Sequence, residues 1–301
     1  MKNPLVSILI PARNEEKLIG RALDYIKKII DEEYKNIEVI VGSDSTDKTN
    51  EIVKKYKFAK LITAKRRLGK NSMLNRLYKI ARGEIIIVHD ADWYLVSNNN
   101  FKNLIKYFKN PKIGGIENFT IFKFNEKDSP LVFAESFIGE WLHHYKIKKQ
   151  SKVINGKLYV KNNIFPFYVN IFRKSALNQE QVTICDDGER TIQIMKNGYL
   201  VAIPQGDMLP YFLATEASPS VSDFLKQKIR GHTARKQVKQ KYGDCNASLL
   251  GFYLPAFLYT VKLSFKLLFG VLLYWFLALI VLGKAKKSMS VRECWKMRLK
   301  R

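Results

Sequence analysis

The chain has 301 residues, room for one domain of about 200 residues and an appendage. Its 47% hydrophobic and 12% aromatic content excludes the disordered class, because that much apolar surface can offset chain entropy. With 52 Lys+Arg against 27 Asp+Glu, the net charge of +25 suits a polyanionic partner, whether nucleotide phosphates, nucleic acid or an anionic leaflet.

Leu5 to Ile10 reads as a buried strand closed by Pro11. A helix follows, with Leu18, Ile19, Ala22, Leu23, Ile26, Ile29 and Ile30 at helical spacing. Ile37 to Val41 is a second strand, followed by a polar turn from Gly42 to Asp47 and a helix through Ile52 and Val53. The alternation continues with a strand from Ala59 to Thr63, a helix from Ser72 to Ala81 and a strand from Glu84 to Val88 that runs into His89-Asp90-Ala91-Asp92. This order predicts an α/β fold with a mostly parallel central sheet covered by helices. Ligands of such sheets bind at the carboxyl ends of the strands, where Arg13-Asn14-Glu15, Ser43-Asp44-Ser45 and Asp90-Ala91-Asp92 gather.

From residue 113 to 215 the pattern loosens, with strand-like stretches at Gly115 to Phe124 and Val153 to Val160 and an amphipathic helix from Leu131 to Lys146. This half is expected to shape the acceptor side. Residues 249–283 are strongly apolar, interrupted by Pro255, Lys262 and Lys266. Two crossings of about 20 residues each plus a turn do not fit, which leaves one crossing, or an in-plane or re-entrant pair, on a membrane. Lys284 to Arg301 carries eight Lys/Arg against one Glu, a balance that belongs on the cytoplasmic side. Tyr274, Trp275 and Trp295 would then lie near the interface, and the competing reading is a buried hydrophobic hairpin. Cys185, Cys245 and Cys294 are odd in number and widely spaced, so neither a disulfide framework nor a zinc site is expected. The apolar run at the N-terminus turns polar at Arg13, too early for a signal peptide, which predicts a membrane-associated protein with a cytoplasmic catalytic part.

The chemistry begins with the Asp90-Ala91-Asp92 pair, whose carboxylates should project from a strand end. Hard divalent ions take carboxylate oxygens and leave positions open for phosphates. Alone, the pair is equally a solvated loop. Its neighbours add weight: Pro11-Ala12-Arg13-Asn14-Glu15, Ser45-Thr46-Asp47-Lys48-Thr49 and Arg67-Leu68-Gly69-Lys70-Asn71 precede it in order. With these four motifs the chain resembles the family 2 inverting glycosyltransferases of the GT-A fold over roughly residues 4–235. Residues 1–235 would form the catalytic domain, and 236–301 the membrane-associated hydrophobic helices and basic tail.

The resemblance implies a nucleotide-sugar donor and Mg2+ or Mn2+. Pro11, Arg13, Asn14 and Glu15 match the first nucleotide-binding loop, and Gly69 and Lys70 a loop near the nucleotide. Asp90 would touch the ribose or the metal, and Asp92 would be the main metal ligand. Where the family commonly reads Val-Asp-Asp-Gly-Ser-Thr-Asp, this chain reads Val41-Gly42-Ser43-Asp44-Ser45-Thr46-Asp47, so the base-reading group is displaced to Asp44 or replaced by Ser43. Asp186-Asp187, ahead of Glu189-Arg190, looks like the family's Glu-Asp segment, which makes Asp187 the candidate general base. A helix cap is the plainer role for the same stretch.

Gln227-Lys228-Ile229-Arg230-Gly231 resembles the family's Gln-x-x-Arg-Trp segment, but Gly231 replaces the tryptophan, which counts against polymer threading. Arg230 would hold the diphosphate with paired donors. His232 is placed on a loop near the site, with ordinary surface as the plainer reading, and His143-His144 is assigned to surface or packing. The basic run from Lys226 to Lys241 would bind acidic lipid heads or form a solvated helix face.

The reaction implied is inverting transfer from a UDP- or GDP-sugar to a polyprenyl phosphate, a lipid-linked saccharide or another membrane-proximal acceptor. A nucleotidyltransferase would need a glycine-rich loop with a catalytic arginine near the N-terminus, which is absent. The other alternative is a basic membrane- or nucleic-acid-binding protein that keeps the fold without catalysis; nucleic acid is disfavoured because no RNP-like, helix-turn-helix or zinc-finger pattern is present.

Overall fold

The computed structural model describes residues 3–95, 101–117, 120–121, 151–161, 168–204, 212–214, 221–243 and 265–284. The expected helix from Leu131 to Lys146, His143-His144, Cys245, Cys294, Trp295 and the basic tail after Lys284 lie outside them.

The first half alternates as the apolar periodicity predicts: β1 Val6–Ala12, α1 Ile19–Glu32, β2 Ile37–Ser43, α2 Thr49–Lys54, β3 Ala59–Thr63, α3 Lys70–Ile80 and β4 Ile85–Val88. Next come β5 Trp93–Leu95, α4 Phe101–Lys106, β6 Ile113–Glu117 and β7 Thr120–Ile121. A hairpin, β8 Ser151–Ile154 and β9 Lys157–Val160, precedes β10 Val169–Arg173, α5 Asp186–Lys196, β11 Leu200–Ile203 and β12 Phe212–Ala214. Two helices close the described chain: α6 Val221–Tyr242 and α7 Phe265–Lys284.

Nine strands form one sheet in the order β3-β2-β1-β4-β10-β6-β11-β9-β8, and β5, β12 and β7 form a small second sheet. The four strands from β3 to β4 are parallel. Beyond them β10 runs antiparallel to both β4 and β6, and β9 antiparallel to β11 and β8, so only β6 with β11 remains parallel. The sheet is therefore mixed, not mostly parallel. Apolar runs mark where strands are, but direction depends on how the chain crosses between them, which periodicity does not encode.

β1 also runs on through Pro11, which pairs with Gly42, instead of stopping before it. Leu9 accepts from His89 N–H on the β4 side at 2.9 Å, so Pro11, two residues on, faces that same side. The β1–β4 ladder has ended at Leu9 by then, so the missing proline N–H forfeits no ladder bond.

Helices cover both faces. α1 buries Ile19, Leu23, Ile26 and Ile29 with Val6, Ile8 and Ile10 on one side of β1, and α3 buries Met73, Leu74 and Leu77 with Leu9, Ile86 and Val88 on the other. α3 sits very close to β2: a Cβ at Gly42 would lie 2.6 Å from Met73 Sδ. An aspartate at this position would meet the Met73 side chain unless α3 repacked.

α6 passes through position 235, where the sequence reading divides the chain, and packs Phe224 against Tyr274 and Leu277 of α7. Among the described residues no helix is long and apolar enough to cross a membrane. α7 comes nearest, with 20 residues, lysines at its second and last positions, one side committed to α6, and Phe269, Leu272, Phe276 and Leu279 exposed.

Candidate active site

At the carboxyl ends of β1 and β2 the two following loops are stitched together. Asn14 sits in the left-handed region at φ +55°, a conformation asparagine tolerates because its short amide bonds locally. Its Oδ1 accepts from Thr46 N–H at 2.9 Å, and its own N–H donates to Ser45 Oγ at 2.9 Å. Glu15 N–H donates to Thr49 Oγ1 at 2.8 Å, and Glu16 Oε2 accepts from Lys48 N–H at 3.1 Å. Thr46, Asp47 and Thr49 thus carry structural bonds from the first loop to the second.

Asp44 joins a third loop to these two. Its Oδ1 lies 3.3 Å from the Arg13 guanidinium, which also donates to the Asp44 carbonyl at 3.0 Å. Its Oδ2 accepts from Leu68 N–H at 2.7 Å and Gly69 N–H at 3.4 Å. Gly69 has φ +86°, a turn that glycine makes without strain, and α3 starts at Lys70 immediately after it. Ser43 is buried and engaged with Ser45, its Oγ accepting from Ser45 N–H at 3.2 Å and donating to Ser45 Oγ at 2.9 Å. Both base-reading candidates are thus committed to loop architecture.

β4 ends in the turn that holds Asp90 and Asp92. His89 is buried, and its Nε2 accepts from Leu95 N–H at 3.1 Å, bracing that turn. Burial pushes the imidazole down to about 4, so it is neutral near pH 7. Lys70 Nζ lies 3.0 Å from Asp90 Oδ2 and 3.1 Å from Asp186 Oδ1, so one ammonium joins the end of β4 to the start of α5. Asp186 Oδ2 meets Arg190 at 2.8 Å, and that fully buried guanidinium also donates to Asn170 Oδ1 at 2.6 Å and to the Val169 carbonyl. Arg190, Asp186, Lys70 and Asp90 form a chain of alternating charge running from the start of α5 to the turn after β4. Burial would lower the Lys70 ammonium, but Asp186, Asp90 and Asp187 outweigh it and raise it above the ordinary lysine range.

Asp187 differs from its neighbour. Its Oδ1 accepts from Gly188 N–H at 2.8 Å and from the Cys185 thiol at 3.5 Å, which leaves Oδ2 as the oxygen for a further proton. Burial and then the Asp186 charge raise its carboxyl above the usual range, against the opposing pull of Lys70 and Arg190. Burial and the two aspartates push the Cys185 thiol well up, so it stays protonated.

Asn71, Asn75 and Tyr78 on α3 hold the loop ahead of this acidic turn; the sequence marks Asn71 only as the end of the Arg67 to Asn71 motif, and Asn75 and Tyr78 not at all. Asn75 Nδ2 donates to the Gln181 carbonyl at 2.9 Å, Tyr78 Oη donates to Gln181 Oε1 at 3.1 Å, and Asn71 donates to the Thr183 carbonyl. The available signal was polar residues at helical spacing on a helix flanked by strands. Arg230 and His232 lie within α6, so the loop position expected for His232 is corrected to a helix.

Among the described residues no three His, Cys, Asp or Glu side chains converge as a metal-ligand set. Asp90 and Asp92 stand in the turn after β4, with Asp90 Oδ2 engaged by Lys70; carboxylate oxygens are the donor type that a hard divalent ion takes.

The Glycosyl transferase family 2 model matches residues 7–180, more than half of the chain. A beta-monoglucosyldiacylglycerol synthase of Nostoc sp. is 35% identical over 123 residues, 38% of this chain and 25% of that protein. An Escherichia coli UDP-Glc:alpha-D-GlcNAc-diphosphoundecaprenol beta-1,3-glucosyltransferase, WfaP, is 33% identical over 172 residues, 54% of this chain and 65% of that protein. The chain thus matches about a quarter of the length of the Nostoc synthase. Among solved structures, the mannosyltransferase PcManGT from Pyrobaculum calidifontis, in complex with GDP-Man and Mn2+, aligns at TM-score 0.59 and 20% identity, covering 99% of this chain and 79% of that one. S. aureus TarS 1-349 in complex with UDP-GlcNAc aligns at TM-score 0.52 and 17% identity, covering 93% and 80%. These structural likenesses carry the GT-A type fold, and with the family match over the strand-end motifs the chain belongs to glycosyl transferase family 2.

Proposed function

We propose that the protein transfers a sugar, with inversion, from a UDP- or GDP-sugar to a lipid-linked or membrane-proximal acceptor. The observation that carries this reading is the Lys70 bridge, which brings the Asp90 turn and the Asp186-Asp187 turn to one place. Donor-side loops and a candidate base would then flank one site, as in-line displacement requires.

Pro11, Arg13, Asn14, Glu15, Ser43, Asp44, Gly69 and Lys70 would form the donor-side wall, and Asp90 and Asp92 would hold Mg2+ or Mn2+. Such an ion neutralises charge on a departing diphosphate. Arg230 would add a guanidinium on the diphosphate. Asp187 Oδ2 would accept the proton of an acceptor hydroxyl as its oxygen attacks the anomeric carbon. The complexes of PcManGT with GDP-Man and of TarS 1-349 with UDP-GlcNAc support a GDP- or UDP-linked donor, and the Nostoc diacylglycerol-type and WfaP diphosphoundecaprenol-type relatives support a lipid-linked acceptor. Residues 236–301 would bring the site to the membrane surface: the exposed apolar side chains of α7 lie beside the basic helix α6.

The test is a panel of UDP- and GDP-sugars with Mg2+ or Mn2+, scored for nucleoside diphosphate release with and without polyprenyl phosphate, lipid-linked saccharide and diacylglycerol. Release that depends on both donor and acceptor is expected. Asp187→Asn should reduce turnover roughly 100-fold or more with a hydroxyl acceptor. A phosphate acceptor is already ionised and should be mildly affected. Absence of release across the panel, with oligonucleotide binding that falls steeply with salt, would sink the proposal in favour of a binding protein.

A further inference from the structure

Glu189 lies one helical turn into α5, and its carboxylate is fully buried. A buried carboxylate persists as an anion only where hydrogen bonds and cations replace its water. Glu189 has four such partners. Oε2 accepts from the N–H groups of Val182 at 3.0 Å and Thr183 at 2.7 Å. Oε1 accepts from Lys241 Nζ at 2.7 Å and from Tyr242 Oη at 2.9 Å. The next amide, Ile184 N–H, donates to Gln237 Oε1 at 3.0 Å. Burial would raise the Glu189 carboxyl, but the bonds from Lys241, Thr183 and Tyr242 outweigh it and hold it below the usual range.

Three consecutive amides, 182 to 184, are therefore fixed by one carboxylate and by the last two turns of α6. They lead directly into Cys185, Asp186 and Asp187. From the opposite side the same loop is held by Asn71 and Asn75 of α3. α6 in turn carries α7 through Phe224 and Tyr274, whose rings lie 5.2 Å apart.

We propose that Glu189 is a positioning residue: with Lys241 and Tyr242 it sets the approach of Asp187 to the acceptor and couples the C-terminal helix pair to the acidic turn. This rests on the reading of Asp187 as general base. The bonds that interlock Asn14, Arg13, Asp44 and Gly69 do not involve Glu189, and the donor-side loops reach the acidic turn through the Lys70 bridge to Asp186. Loss of the latch should therefore leave those loops in place and act mainly on the chemical step.

The experiment uses the full chain with three changes: Glu189→Gln, the double change Lys241→Met with Tyr242→Phe, and Lys241→Arg. Hydrogen exchange is followed at amides 182–184, with β1 and β2 amides as the internal standard. The first two variants should lose protection at 182–184 by roughly tenfold or more while β1 and β2 are unchanged, and Lys241→Arg should retain most of it. In turnover assays kcat should fall roughly tenfold with donor KM within about twofold of wild type. Unchanged protection at 182–184 in either disrupting variant would overturn the proposal. So would a lowered melting temperature with unchanged kcat, which marks a purely structural role. The double change touches partly exposed groups, so it keeps the test decisive if Glu189→Gln does not fold. Exchange at 182–184 and UDP or GDP affinity are measured without turnover, so a latch that fails is distinguishable from a glycosyltransferase reading that fails.

Discussion

Replacing Lys70 with methionine keeps the aliphatic stem and removes the ammonium shared by Asp90 and Asp186. If both carboxylates were left uncompensated in a buried site, the loss would be about 3–5 kcal/mol. Two features reduce it. Asp186 keeps Arg190 at 2.8 Å, and the Asp90 side chain is 32% exposed, so water can solvate it. The ammonium's own desolvation cost also disappears. A net loss of about 2 kcal/mol is expected, a melting temperature lower by roughly 4–8 °C for a domain of this size. Differential scanning fluorimetry at low salt near neutral pH measures it. Moderate salt should leave the gap nearly intact, because a pair with the cation 18% exposed is poorly screened. Lys79→Met is the control: its partner Glu180 lies 2.8 Å away, but the two side chains are 71% and 60% exposed, so little change is expected. A Lys70→Met protein melting within about 1 °C of wild type would refute the charge chain as a structural element.

Asn14→Ala should cost about 1–2 kcal/mol, from the left-handed φ of +55° and the lost bond to Thr46 N–H, whereas Asn14→Gly should recover the backbone part; urea midpoints separate the two. Gly42→Val should destabilise by about 1–3 kcal/mol, because even a Cβ meets Met73 Sδ at 2.6 Å; its melting curve, and a partial rescue by Met73→Ala, check the overlap. Asp187 has a folded pKa raised by burial and by Asp186, so its stabilising contribution is complete below the ordinary carboxylate range and is lost as pH rises through the raised value. Asp187→Asn should therefore gain stability relative to wild type on going from acid to neutral pH. In turnover the acid limb should lie above the ordinary carboxylate range and move further up in Lys70→Met, which removes a cation that holds Asp187 down.

The first half of the fold was legible because each element has one strong local signal. Helix α1 buries Ile19, Ala22, Leu23, Ile26 and Ile29, the residues its spacing marks, and the strand at Ala59–Thr63 has the expected ends. The strand-end clusters were legible for the same reason: polar residues directly after buried strands must lie at the sheet's edge. Strand direction beyond β4 was not, since β10 enters antiparallel from a distant part of the chain. The roles within the clusters were hidden too. Asp44 reads as a ligand in sequence, yet its oxygens are taken by Arg13, Leu68 N–H and Gly69 N–H, partners up to 31 residues away. Glu189 reads as an ordinary first-turn acid of a helix, and only its burial against Lys241 and Tyr242 separates it from a solvated one.

The adjacent aspartates show how one helix terminus can supply two different groups. Both gain from the positive end of α5, which favours anions in the first turn. Asp186 is clamped between Lys70 and Arg190, with one cation on each oxygen, so it has no vacant strong acceptor site and serves as a fixed negative link. Asp187 has a single main-chain donor and a thiol on Oδ1, and its raised carboxyl is poised closer to neutrality. A base working near neutral pH needs that balance, since a carboxyl raised toward the operating pH takes up a proton more readily. The cations beside Asp186 also limit how far it can raise Asp187, because Lys70 and Arg190 act on both. Neutralising Asp186 as Asp186→Asn should therefore remove the charge that raises Asp187 while Lys70 and Arg190 still lower it, and shift the acid limb of turnover downward. A limb that stays in place would mean that the two carboxylates do not share one electrostatic unit.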